Sequence, residues 1–134
     1  MKNRLQFLIL PIITLILEIL PYGAVCNFAN PDGPPWRRTY SYFSLTPFGY
    51  AHFTPLLTAL LTCVILILLV IYCFTGIHSL AKAASIALFA CSVLSLGPLL
   101  LGLHFFSVVG ALITLTLVAQ LLFLYLTAVA RKCP

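Results

Sequence analysis

Glu18 and Gln120 are the strongly polar side chains that this sequence sets inside long apolar stretches. A charged residue at the centre of a membrane span costs about 2.5–3.5 kcal/mol on insertion scales, so it faces protein or water and is a functional candidate by default. Glu18 lies three residues before Pro21, and two readings follow. It is a proton or cation site with Gln120 as its polar companion, or it sits at headgroup depth with Arg37 and Arg38 as counter-ions. Gln120 alone is expected to hydrogen-bond between helices or between subunits. Thr54, Thr58 and Thr62 recur every four residues and so share one helix face. Their hydroxyls could line a polar route, but close helix packing is the favoured reading.

Other chemistry is poorly supplied. Cys26, Asp32, His52 and His104 fall on one side of the expected topology, yet none has the pair spacing of a zinc site, and no metal centre is expected. His78 stands apart from them beside Lys82. No G-x-S-x-G, Walker A or H-E-x-x-H motif occurs, and Glu18 and Asp32 are the only acidic residues. No catalytic residues and no cofactor are therefore assigned, and the chain is expected not to be an enzyme. Cys63, Cys73 and Cys91 lie in apolar runs and Cys133 lies opposite Cys26, so no disulfide framework forms; the absence of C-x-x-C excludes a dithiol oxidoreductase.

The elements that must position these residues are membrane helices. Of 134 residues, 63% are hydrophobic and 7% charged, against typical soluble usage of about 45–50% and about 25%. Apolar runs at about 5–22, 53–75, 83–103 and 105–130 each reach the roughly 20 residues a span needs. Their continuity excludes a membrane β-barrel, which alternates in short segments. The expected fold is all-α: four antiparallel transmembrane helices in a left-handed bundle, one membrane domain over 1–134, with a long loop at about 23–52. Lys2, Arg4, Lys82, Arg131 and Lys132 then share one side and Arg37 and Arg38 the other, which places both termini in the cytoplasm. The net charge of +5 is spent at membrane borders, so no nucleic-acid partner is implied. The first run reads as a retained span, because 21–24 offers a poor match to a signal-peptidase site.

The stretch 21–55 contains the sole Trp, the sole Asp and four of the six Tyr. Its Asn30-Pro31-Asp32-Gly33-Pro34-Pro35 run predicts a rigid turn, and Trp36 to Thr46 an extended ribbon. Trp36, Tyr40, Tyr42 and Phe43 are the candidate partner-binding residues. Thr46-Pro47 resembles a helix start, and a helix running from there to Thr75 would be about 43 Å long, unless Pro55 kinks it or displaces its start. Ala83, Ala87, Cys91 and Ser95, with Ser107, Gly110, Ala111 and Thr114, supply small-residue stripes for helix contact. Gly97-Pro98 predicts a loosened turn, and the short 102–107 connection makes the last two spans neighbours.

The layout resembles two families in part. Small multidrug-resistance exporters share four short spans and a first-span Glu, but lack the long loop after it. Claudin-like proteins share the long first loop, but their W…G-L-W-C-C signature is absent, Trp36 and Cys26 being the only such residues there. Neither resemblance transfers residues. The expectation is a multi-pass protein of the plasma membrane that works as a non-catalytic interaction or accessory component through its aromatic loop, with a membrane-protein partner or a homo-oligomer. A small oligomeric proton-coupled transporter or channel using Glu18 is the alternative.

Overall fold

The computed structural model describes residues 4–50 and 52–129, so Lys2, Arg131, Lys132 and Cys133 lie outside it. Chain order is a 3-10 turn (Leu5–Leu8) leading into α1 (Ile9–Ile19), strands β1 (Ala24–Phe28) and β2 (Trp36–Tyr40), then α2 (Leu45–Tyr50) and α3 (Thr54–Thr75). There follow α4 (His78–Ser95), α5 (Gly97–Leu101), a 3-10 turn (Leu103–Phe105), α6 (Val108–Leu124) and a π-helical turn (Tyr125–Val129). The protein is mostly helical, at 72%. Three helical segments, Thr54–Thr75, His78–Leu101 and Val108–Ala128, are long and apolar enough to cross a membrane, and Leu5–Ile19 is a shorter apolar one.

Prolines set two of the boundaries. Pro55 stands in the first turn of α3, where its missing N–H costs nothing, so α3 starts there and α2 stays a separate short helix. Pro98 likewise opens α5 after α4 has ended. The segment α4 begins earlier than the hydrophobic run suggests, so Lys82 is a helical residue and not part of a connection.

The helices pack in the ring α1, α3, α4, α6 and back to α1, each beside an antiparallel neighbour. Inward-facing positions follow the helical period: Phe7, Pro11, Thr14 and Glu18 on the first segment, and Gly110, Ile113, Leu117, Gln120 and Leu124 on α6. Outward positions are almost wholly aliphatic, including Ile9, Ile12, Ile16, Leu60, Val64, Ile67, Ile86 and Leu115. Polar groups inside and aliphatic groups outside reverse the soluble pattern, and the exposed apolar surface greatly exceeds what a monomer presents to water. On α4 the packed face is Ala81, Ala84, Ser85, Leu88, Cys91, Ser92 and Ser95. Ala83 of the expected stripe is exposed, one helical position off this face.

Each neighbouring pair carries a polar tie. Thr14 donates to Thr116 at 2.9 Å between α1 and α6, and Thr62 donates to Glu18 at 2.8 Å between α3 and α1. The Cys91 thiol lies 3.6 Å from the Thr58 carbonyl between α4 and α3, and Ser95 and Thr114 lie 2.9 Å apart between α4 and α6. Helix association in lipid draws on packing and such hydrogen bonds, because hydrocarbon supplies no hydrophobic drive between helices.

At the end away from the strands, Gly76 terminates α3 at φ 69°, donating its N–H to the Tyr72 carbonyl at 2.8 Å. A Cβ there would collide with the Arg4 guanidinium, which lies 5.8 Å from the centre of the Tyr72 ring and near the negative end of the α3 dipole. Gly76→Ala is therefore expected to cost about 1–2 kcal/mol for the left-handed backbone alone, with displacement of Arg4 in addition. Thermal unfolding in detergent reads this, and an unchanged midpoint would contradict it.

Candidate functional site

The loop forms a hairpin that caps one end of the bundle. β1 and β2 pair antiparallel with Ala24 opposite Tyr40, Cys26 opposite Arg38 and Phe28 opposite Trp36. The hairpin is a two-stranded addition to an all-α fold, and only its second strand is written as an extended aromatic segment in the sequence. The two strands are unequal: Ala24, Val25 and Cys26 are buried, whereas Trp36 to Thr39 are exposed. β1 is thus the floor of the hairpin and β2 its free side.

Strand parity sorts the β2 side chains. Trp36, Arg38 and Tyr40 share a face with Phe28, and these residues with Ala29 line a pocket of about 380 Å³. Arg37 belongs to the opposite face, where it reaches the Phe106 carbonyl at 3.5 Å and lines a second pocket with Asn27, Pro35, His104 and Phe105. The adjacent arginines therefore do different work. Arg37 leans on the 103–106 connection, and Arg38 stands beside the aromatic pocket.

Tyr42 and Phe43 do not join that surface. Tyr42 is 1% exposed, and its ring fills the space over Gly23, where a Cβ would stand 2.8 Å from a ring carbon. Its backbone N–H donates to the Glu18 carbonyl at 2.9 Å, closing the end of α1. Burial raises the pKa of the Tyr42 phenol, and the nearby Glu18 and Cys91 groups reinforce the shift. Phe43 packs against the core. Ser107 completes the attachment, accepting the Gly110 N–H at 2.9 Å as the α6 cap and donating to the Gly23 carbonyl at 2.6 Å.

Beneath Tyr42 lies the carboxyl cluster. Glu18 is 0% exposed; its Oε1 accepts from Thr62, and its Oε2 has no hydrogen-bond partner. The Thr62 hydroxyl also lies 3.0 Å from the Thr58 carbonyl and 3.6 Å from the Cys91 thiol. Neither Arg37 nor Arg38 reaches Glu18: one is turned to Phe106 and both are exposed. The counter-ion pairing expected from their proximity in sequence is absent, because the hairpin holds β2 on the far side of β1.

Gln120 is buried in the bundle with neither amide atom hydrogen-bonded, so the expected interhelical bond is not made among the described residues. Nor does it meet Glu18. The Thr14–Thr116 bond fixes the register of α1 against α6. Glu18 lies one turn toward the hairpin and Gln120 one turn away from it, which separates them by about 12 Å along the bundle. Thr14 and Thr116 belong to no motif in the sequence, although Thr14 shares the helical stripe of Glu18, four residues behind it.

Cys26, Asp32, His52 and His104 do not converge, and among the described residues no three His, Cys, Asp or Glu side chains form a group able to hold a metal. His52 is buried with both ring nitrogens unpartnered, and burial holds its pKa below the ordinary histidine value. No protein-family model, curated protein or solved structure matches this chain.

Proposed function

We propose that the chain is a four-span integral protein of the plasma membrane, with both termini cytoplasmic, acting as a non-catalytic interaction or accessory component through the Trp36, Arg38 and Tyr40 face of its hairpin. The observation that carries this reading is the contrast within the hairpin: β1 and Tyr42 are buried, while Trp36 is 61% exposed. A large aromatic held on a buried, packed base loses little freedom on binding, and Trp, Tyr and Arg are the residues that dominate interface energetics. The partner is another membrane protein presenting an apolar and acidic segment at this face. Replacing Trp36 and Arg38 together by Ala is expected to leave thermal stability nearly unchanged and to weaken partner capture by roughly 30-fold or more. Capture at wild-type strength by that variant would refute the reading.

The four-span arrangement rests on α1 lying alongside α3 and α6, on the aliphatic exterior, and on Arg4 and Lys82 near the end opposite the hairpin. Cys26 is a poor topology reporter because it is fully buried and burial raises its thiol pKa. Thr39 is exposed on β2. In intact cells, Thr39→Cys is expected to react with a membrane-impermeant maleimide while native Cys26 does not. Labelling of Thr39→Cys only after permeabilisation would reverse the orientation.

A second reading is favoured by the hydrogen-bond count at Glu18. The Thr62 hydroxyl has one proton and two oxygen acceptors, Glu18 Oε1 and the Thr58 carbonyl. A proton on the carboxyl completes the set, with Glu18 donating to Thr62 and Thr62 to Thr58. A proton-coupled transporter or channel would use that exchange in an oligomer, with the route passing the Thr54, Thr58 and Thr62 face. The separation of Gln120 removes it from the same site. Reconstituted protein showing pH-dependent solute flux abolished by Glu18→Gln would support this reading, and flux indifferent to the change would exclude it.

A further inference from the structure

The α4 and α6 helices leave a cleft of about 400 Å³ on the outside of the bundle, lined by Ser85, Ile86, Phe89, Leu121, Leu122 and Tyr125. Its walls are apolar, and the one hydroxyl that α4 contributes to its lining, that of Ser85, is already committed to the Ala81 carbonyl at 3.0 Å. Lys82 heads the same helix face, because Ser85, Ile86 and Phe89 follow it at three, four and seven residues. Exposed Val93 and Leu96 continue the apolar track beyond Phe89. At the Lys82 end the phenol of Tyr125, 52% exposed, flanks the cleft from the π-helical turn that follows α6.

We propose that this cleft is a binding site for an anionic phospholipid, with an acyl chain along the Ile86, Phe89 and Val93 track and the headgroup phosphate at Lys82. The charge decides the occupant. A long apolar track ending in one exposed ammonium matches an acyl chain ending in a phosphate, and the leaflet facing the basic end of a membrane protein is the one rich in anionic lipid. A second copy seated here about an axis along the membrane normal would bring two Lys82 groups to the same depth, where they repel. The inference rests on the membrane insertion proposed above and is independent of the hairpin.

The test is native mass spectrometry of the full chain in nanodiscs of equimolar phosphatidylglycerol and phosphatidylcholine. The expected result is about fivefold more phosphatidylglycerol than phosphatidylcholine adduct, falling to near parity in Lys82→Gln. Phe89→Ala, at an exposed position that the fold does not need, is expected to lower both adducts. Parity in the unmodified chain, a preference that survives Lys82→Gln, or a lipid-free dimer joined through this face would each overturn the proposal. A chain that fails to enter the discs would overturn membrane insertion as well, which separates the two failures.

Discussion

Tyr42→Ala is expected to destabilise the protein by about 3–5 kcal/mol, the range for removing a large buried aromatic side chain. The loss should be concentrated at the hairpin, because the ring packs over Gly23 and its hydroxyl lies above Gly110 at the start of α6. With that wedge gone, β1 loses its support at Gly23, three residues before the buried Cys26. The Cys26 thiol should then react with maleimide in the folded protein, whereas in the unmodified chain its full burial should protect it. Tyr42→Phe keeps the ring and should keep both properties nearly intact. Thermal unfolding in detergent together with the Cys26 labelling rate reads the prediction. A Tyr42→Ala chain that melts normally with Cys26 still protected would mean that the hairpin is held by other contacts.

The second large effect concerns the carboxyl cluster. Thr62→Val keeps the shape of the side chain and removes the hydrogen-bond partner of Glu18, leaving both carboxyl oxygens unpartnered at full burial. An orphaned buried polar group costs about 1–3 kcal/mol, more if charged, whereas replacing both partners by apolar groups is nearly neutral. Thr62→Val is therefore expected to destabilise more than Glu18→Leu, since in the latter Thr62 still has the Thr58 carbonyl at 3.0 Å. The double variant should recover most of the loss. Additive losses in the double-mutant cycle would show that the two side chains are not coupled.

Much of the helical frame was legible because a membrane span is written in run length and composition, whereas Pro55 reads equally as a kink or a displaced start and Gly97-Pro98 as a loosened turn, and the structure makes both prolines helix starts. The hairpin was only half legible. Trp36 to Tyr40 alternates in a way that suggests a strand, but Ala24 to Phe28 shows no such alternation, and only its pairing with β2 reveals it. Tyr42 illustrates a second limit: an aromatic residue beside a span reads equally well as a surface anchor or as a plug, and the choice depends on Gly23 and Gly110, remote from it in sequence. Glu18 could be singled out, but not its partner. Proximity in sequence favoured Arg37 and Arg38, whereas the bundle register delivers Thr62. Gln120 was likewise visible as an anomaly, but its distance from Glu18 depends on helix direction and on the Thr14–Thr116 register.

Site-specific photo-crosslinking along β2 tests the central claim most directly, because the hairpin assigns neighbouring residues to opposite faces. A photoreactive amino acid is placed at position 36, 37 or 38 in the full chain and irradiated in cell membranes. The account predicts one and the same protein adduct from positions 36 and 38, and none of that adduct from position 37, whose side chain turns toward Phe106. Equal adducts at all three positions, or adducts from position 37 alone, would contradict it.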